Sequence, residues 1–220
     1  VANGIFATDV TLTDANSNLV VTKVGVTGNL NFHAAGATAS ITGEVTGDIM
    51  SNLGAGGAGN LILTDSVVTG NVGAAGNPLA NMTLNGATQL NGAAASYATN
   101  FLISQDGSAI TSANGFGASP LGFASPNSAL TINAGDVGAV TFTGNGNALT
   151  SAGNIASANF AADVTATISG TVAGDITTAA DGTGTLILLA GAVNNIGANG
   201  AALNNVQIGD GAAARAVTIN

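Results

Sequence analysis

Few residues in this chain are able to do chemistry. Among 220 residues there is one histidine, His33, no cysteine, two bases, Lys23 and Arg215, and 11 acids. Cleaving a glycan requires two carboxylates at a set separation, commonly beside a Lys or Arg. Here no two acids are adjacent, the bases stand near opposite ends, and the central stretch that could form a cleft holds Asp106 alone. A Ser-His-Asp arrangement around His33 is conceivable, but a lone histidine on a strand or turn is the commoner case. One His without Cys excludes an ordinary zinc site. Gly56-Gly57-Ala-Gly-Asn60 and Asp181-Gly-Thr-Gly184 are fragments of a calcium-binding nonapeptide, yet neither recurs in tandem. Asp14, Asp65, Asp163 and Asp181 could hold calcium only loosely, and an Asp of this kind more often closes an Asx turn. The Gly-rich stretch 54–59 lacks the Gly-Lys-Thr ending of a phosphate loop and reads as a turn. Lys23 and Glu44 suggest an isopeptide crosslink to an Asn, against the simpler reading of two solvated charges. Thr11-Leu-Thr13, Thr141-Phe-Thr143 and Thr165-Ala-Thr167 have the form of an ice-binding array but are unevenly spaced. From these readings no catalytic, cofactor-binding or metal-binding residue is named, no cofactor is expected, and the chain is read as not an enzyme.

The background in which these residues sit is unusual. Charged residues make up 6% of the chain, with a formal net charge of −9, which argues against nucleic acid and anionic membranes as partners. A mean hydropathy of +0.45 and recurrent Val, Ile and Leu argue against disorder. Gly accounts for 33 residues, while Trp is absent and Tyr97 is the single tyrosine, so a thick core of large side chains is excluded. Without Cys, stability must come from packing and backbone hydrogen bonds. No apolar run is long enough for a membrane helix. The chain starts at Val1 without a basic leader, so a mature form or a piece of a longer chain is expected.

Helix formers are scarce and Gly interrupts every helix-length window. The recurring unit is a short β-branched run: Asp9-Val-Thr-Leu-Thr13, Asn60-Leu-Ile-Leu-Thr64, Asn81-Met-Thr-Leu-Asn85, Ala129-Leu-Thr-Ile-Asn133. Turn signals such as Asn85-Gly86 and Asn145-Gly146 separate these strands. A long internal repeat sets Ile41-Thr-Gly-Glu-Val-Thr-Gly-Asp-Ile49 against Ile168-Ser-Gly-Thr-Val-Ala-Gly-Asp-Ile176. It continues with Gly59-Asn-Leu-Ile-Leu63 against Gly184-Thr-Leu-Ile-Leu188, and with Leu79-Ala-Asn-Met-Thr-Leu84 against Leu203-Asn-Asn-Val-Gln-Ile208.

Short strands, polar turns, a repeat and a thin apolar composition predict an all-β chain, a right-handed parallel β-helix of about 11 turns of about 20 residues and about 50 Å in length. Ile41, Val45, Ile168 and Val172 should point inward, with the two repeat copies at equivalent positions. Residues 1–92 are expected as one solenoid module and 128–220 as a second. Between them, 93–127 is expected as a less regular lateral segment, an irregular loop or insertion, the first place for a protease to nick.

The tokens Gly182-Thr-Gly-Thr-Leu-Ile-Leu188, Val193-Asn-Asn-Ile-Gly197 and Leu203-Asn-Asn-Val-Gln-Ile208 resemble repeats in the passengers of bacterial autotransporters, in particular the rickettsial surface-cell-antigen type of outer-membrane protein. The resemblance implies a β-helical passenger at the cell surface with an adhesive or layer-forming role. The expected function is thus that of a structural or adhesive extracellular surface protein: a passenger, sheath or filament subunit, exported from the cell. The alternatives are a carbohydrate-active β-helix enzyme and an ice-binding solenoid. Expected partners are further copies of the chain, the continuation of a longer repetitive chain, or a host or neighbouring cell surface, without nucleic acid or membrane insertion.

Overall fold

Short β-branched runs cannot bury an apolar face alone, but stacked in parallel they satisfy one another's backbone and enclose a narrow interior. The computed structural model, which describes residues 2–212 and 216–220, has this arrangement from end to end. Its strands join into one continuous sheet system with parallel pairing from turn to turn. Among the described residues there is no α-helix, only a 3-10 turn at Gly54–Gly56. The chain is a parallel β-solenoid of about ten turns.

A turn takes about 20 residues, as from Val21 to Ile41, and most turns contribute to three ladders along the axis. The first ladder runs through Val21, Ile41, Leu63, Leu84, Ile103, Phe123, Phe142 and Phe160. The second runs through Val26, Val45, Val68, Leu90, Ser112 and Ile132. The third begins with Leu30, Ile49 and Val72 and continues later with Val137, Ile155, Val172 and Val193. Alternate residues point inward, so the interior is a thin column of Val, Ile, Leu and Phe. Phe123, Phe142 and Phe160 stack on successive turns, with ring centroids 5.1 and 5.5 Å apart. Gly59, at φ 78°, leaves room for the Phe32 ring, which a Cβ there would meet at 2.1 Å.

Ile41, Val45, Ile168 and Val172 are all buried, as expected. The repeat copies also share a local trace, with Gly43 and Gly170 both at positive φ. They do not, however, occupy the same place around the axis. Ile41 lies in the first ladder, Val45 in the second and Ile49 in the third. Ile168 lies in the second, Val172 in the third and Ile176 in the first. The second copy is therefore the first advanced by one ladder. The cause is visible in the corners. Up to residue 78 the long reversals, 13–17, 33–37, 52–57 and 73–78, join the third ladder to the first. From residue 104 they are 104–108, 124–128, 143–146, 161–164, 179–184 and 197–204, joining the first ladder to the second.

The changeover falls where the lateral segment was expected. Residues 93–127 instead contain Ala98–Ile103, Ala109–Ser112 and Leu121–Phe123, paired on both sides with their neighbours. Phe101, Phe116 and Phe123 are buried, and Phe101 packs edge-on against Phe116 at 4.7 Å. Phe101, Phe116 and Phe123 fill the core where the corner moves, while Pro120 and Pro126 are exposed on the outside of paired turns, so packing gives no reason for preferential nicking there. The Phe stack should carry much of the local stability. Phe142→Ala is expected to destabilise the chain by about 3–5 kcal/mol, and Thr141→Ala on the outer side by less than about 0.5 kcal/mol, in denaturant unfolding. Equal effects would contradict this packing.

Candidate functional site

The acids are spent mainly on the fold. On the third ladder Asn29 Oδ1 accepts the Asp48 N–H at 3.0 Å, Asp48 Oδ1 accepts the Asn71 N–H at 2.7 Å, and Asn71 Oδ1 accepts the Ala94 N–H at 3.0 Å. Each side-chain oxygen thus takes a backbone donor from the next turn. Asp65, Asp163 and Asp181 do the same for the N–H groups of Ala87, Gly184 and Ala202, at 2.8, 3.0 and 2.9 Å. Asp175 accepts from the amides of Asn194 and Asn195, and Asp106 from that of Asn127. The sequence suggested Asx turns closed within a few residues. The observed bonds reach about one turn ahead, a partner that sequence spacing alone does not reveal. Asn also stacks on Asn, from Asn60 to Asn81 at 2.8 Å and Asn81 to Asn100 at 3.2 Å.

The other residues singled out in the sequence are scattered. His33 is exposed at a corner, its Nε2 2.8 Å from Asn52 Nδ2. Lys23 and Glu44 are exposed on successive turns, and Arg215 lies outside the described residues. Asp14 is exposed in a corner where its N–H donates to Ser17 Oγ. The Gly-rich stretch 54–59 forms the 3-10 turn, the end of the corner at Gly57 and the first two residues of the strand Ala58–Val68. Thr11, Thr141 and Thr165 sit on the third, first and second ladders, so the three Thr-x-Thr pairs share no common face. A column that the sequence did not suggest, Thr111, Thr131 and Thr150, stands on the second ladder. Among the described residues no group of three or more His, Cys, Asp or Glu could hold a metal ion.

The flank of the stack carries a concave surface. A trough of about 540 Å³ runs along the third ladder from Tyr97 to Ala173. It begins at the first turn without the long corner between the third and first ladders. Tyr97 follows that last corner; its N–H donates to Val72 O at 2.8 Å and its carbonyl accepts the Leu79 N–H at 3.0 Å. Its ring lies over Gly117, where an added Cβ would meet Cε1 at 2.9 Å and Cδ1 at 3.0 Å. Ala118, Ala156 and Ala173 keep the floor low, and Asp136 and Asn154 line the trough on later turns. Asp136 Oδ1 accepts the Asn154 N–H at 2.8 Å, which fixes the carboxylate. Six of the seven Phe side chains are buried and Phe6 lies on the first turn, so Tyr97 is the aromatic that the flank of the stack presents among the described residues. The trough and its residues were not legible in the sequence.

Comparison with known proteins found no matching family model, curated protein or solved structure.

The bridging role of the acids is separable from their charge. Asp48→Ala should cost about 1–2 kcal/mol by leaving the half-buried Asn71 N–H without its acceptor. Asp48→Asn keeps an oxygen at that place and should restore most of the loss in thermal melts. An Asn variant as unstable as the Ala variant would show that the charge, not the hydrogen bond, matters.

Proposed function

We propose that this chain is a non-catalytic structural or adhesive solenoid of an extracellular surface, of the kind found in autotransporter passengers or in sheath and filament subunits. The observation that carries this reading is the use of the carboxylates. Asp48, Asp65, Asp106, Asp163, Asp175 and Asp181 bridge turns, and Asp136 is the only acid lining the trough beside Tyr97. A glycan-cleaving site works with a facing pair. What the fold offers instead is a long, regular, sparsely charged flank, suited to lateral packing and to contact with a surface.

The exposed large apolar side chains support self-association. Phe6 and Val24 lie on the first turns and Val206, Ile208 and Ile219 on the last, with Leu53 and Leu102 between them. A second copy packed against the solenoid would cover such side chains.

Antibodies raised against the chain should label intact, unpermeabilised cells of the source organism, and labelling only after permeabilisation would overturn the surface assignment. Incubation with neutral and acidic polysaccharides should release no reducing ends or unsaturated products; release would favour a carbohydrate-active enzyme. In sedimentation at micromolar concentration the 220-residue chain should form species larger than its 20.8 kDa monomer. Ile208→Asp should shift them toward monomer, and a sharp wild-type monomer would exclude stacking between copies.

A further inference from the structure

We infer that the trough beginning at Tyr97 is a binding site for a linear, neutral glycan. The proposal deepens the adhesive reading and rests on it. The trough spans five successive turns, from Tyr97 through Gly117, Val137 and Ala156 to Ala173. At the axial spacing of parallel strands that is about 19 Å, long enough for several linked rings rather than one. Its volume lies within the ordinary range of ligand sites, about 300–1,000 Å³.

The chemistry of the lining points to sugars. A pyranose presents an apolar C–H face and a rim of hydroxyls. The Tyr97 ring rests with one side on Gly117, whose missing side chain lets it lie down, and remains half-buried. It is therefore a fixed platform of low conformational entropy for an apolar ring face. Asp136 and Asn154 are exposed on the next two turns of the trough beyond Gly117. The Asp136 carboxylate is held through Oδ1 by the Asn154 N–H, so its second oxygen can accept from a hydroxyl without reordering. The Asn154 side-chain amide can donate and accept beside it.

The same lining disfavours other ligands. Asp136 is the only charged residue in the trough and the chain carries a net charge of −9, so acidic glycans are repelled. An extended peptide would gain affinity by adding a strand to a free edge, but the backbone under the trough is already paired along the axis, as from Val137 to Ile155 and Val172. The Gly and Ala floor also lacks pockets for peptide side chains.

Tyr97 is the only tyrosine and there is no tryptophan, so ultraviolet emission reports on this site directly. The chain is titrated with oligomers of glucose, mannose, xylose and N-acetylglucosamine, and with oligogalacturonate, following emission and heat. At least one neutral oligomer should give a saturable emission change with matching calorimetric affinity, and oligogalacturonate should bind at least tenfold more weakly. Tyr97→Phe should retain affinity within a few-fold, and Tyr97→Ala should lose at least tenfold. Ala156→Phe fills the trough from an exposed position and should also lose at least tenfold at unchanged melting temperature, which keeps the test decisive even where Tyr97→Ala folds poorly. No saturable binding to any neutral oligomer, preference for the acidic one, or wild-type affinity in Ala156→Phe would overturn the proposal. Cell-surface labelling without glycan binding would overturn this site alone. Binding accompanied by cleavage would overturn the non-catalytic reading and leave the site standing.

Discussion

Hydrogen bonding along the axis is the constraint on which the rest of this structure depends. Each turn supplies the acceptors and donors of the next, so neither edge of a strand has to be paired within its own turn. This is why strands as short as Ile49–Ser51 persist, and why a chain with so few large side chains can fold. The interior is narrow, and small inward residues such as Ala39 and Ala58 are buried in it together with large ones such as Phe32. Every buried side-chain nitrogen or oxygen among the described residues has a hydrogen-bond partner. Ser66 Oγ, for example, donates to Ile41 O at 2.8 Å. Polar residues can therefore enter the core column without breaking it.

The same constraint explains the use of Asn and Asp. At corners the backbone leaves its ladder, and an N–H there has no strand acceptor. An Asn or Asp on the preceding turn supplies one, and either residue serves because the bond needs only an oxygen. That equivalence is seen in Asp48 and Asn71, which play the same role on successive turns. Charge is incidental to this role, while the net negative charge that remains limits which surfaces the solenoid can approach.

The shift of the long corner from one edge of the coil to another has a functional consequence. A solenoid with all its corners in one row has uniform flanks. Here the row stops after 73–78 and resumes on a different edge at 104–108, and the flank without corners forms a trough with Tyr97 at its head. The asymmetry that distinguishes the two repeat copies is thus also what creates the trough beside Tyr97.

The sequence by itself determined the class of fold. Five-residue β-branched runs, Gly and Asn turns, the repeat and the lack of large side chains admit little besides stacked parallel turns, and the inward set Ile41, Val45, Ile168 and Val172 follows from alternation. It also made plain that the means for catalysis are sparse. Only the tertiary structure decided the rest. Residues 93–127 look irregular because aromatics and prolines break the token, yet Phe101, Phe116 and Phe123 are needed to fill the core where the corner moves. The partners of Asp48 and Asp65 lie about one turn ahead, at a distance set by corner lengths that vary from turn to turn. For the same reason Tyr97, Asp136 and Asn154, far apart in the chain, share one trough: their alignment depends on accumulated turn lengths and on one shifted corner, quantities that no local pattern of residues encodes.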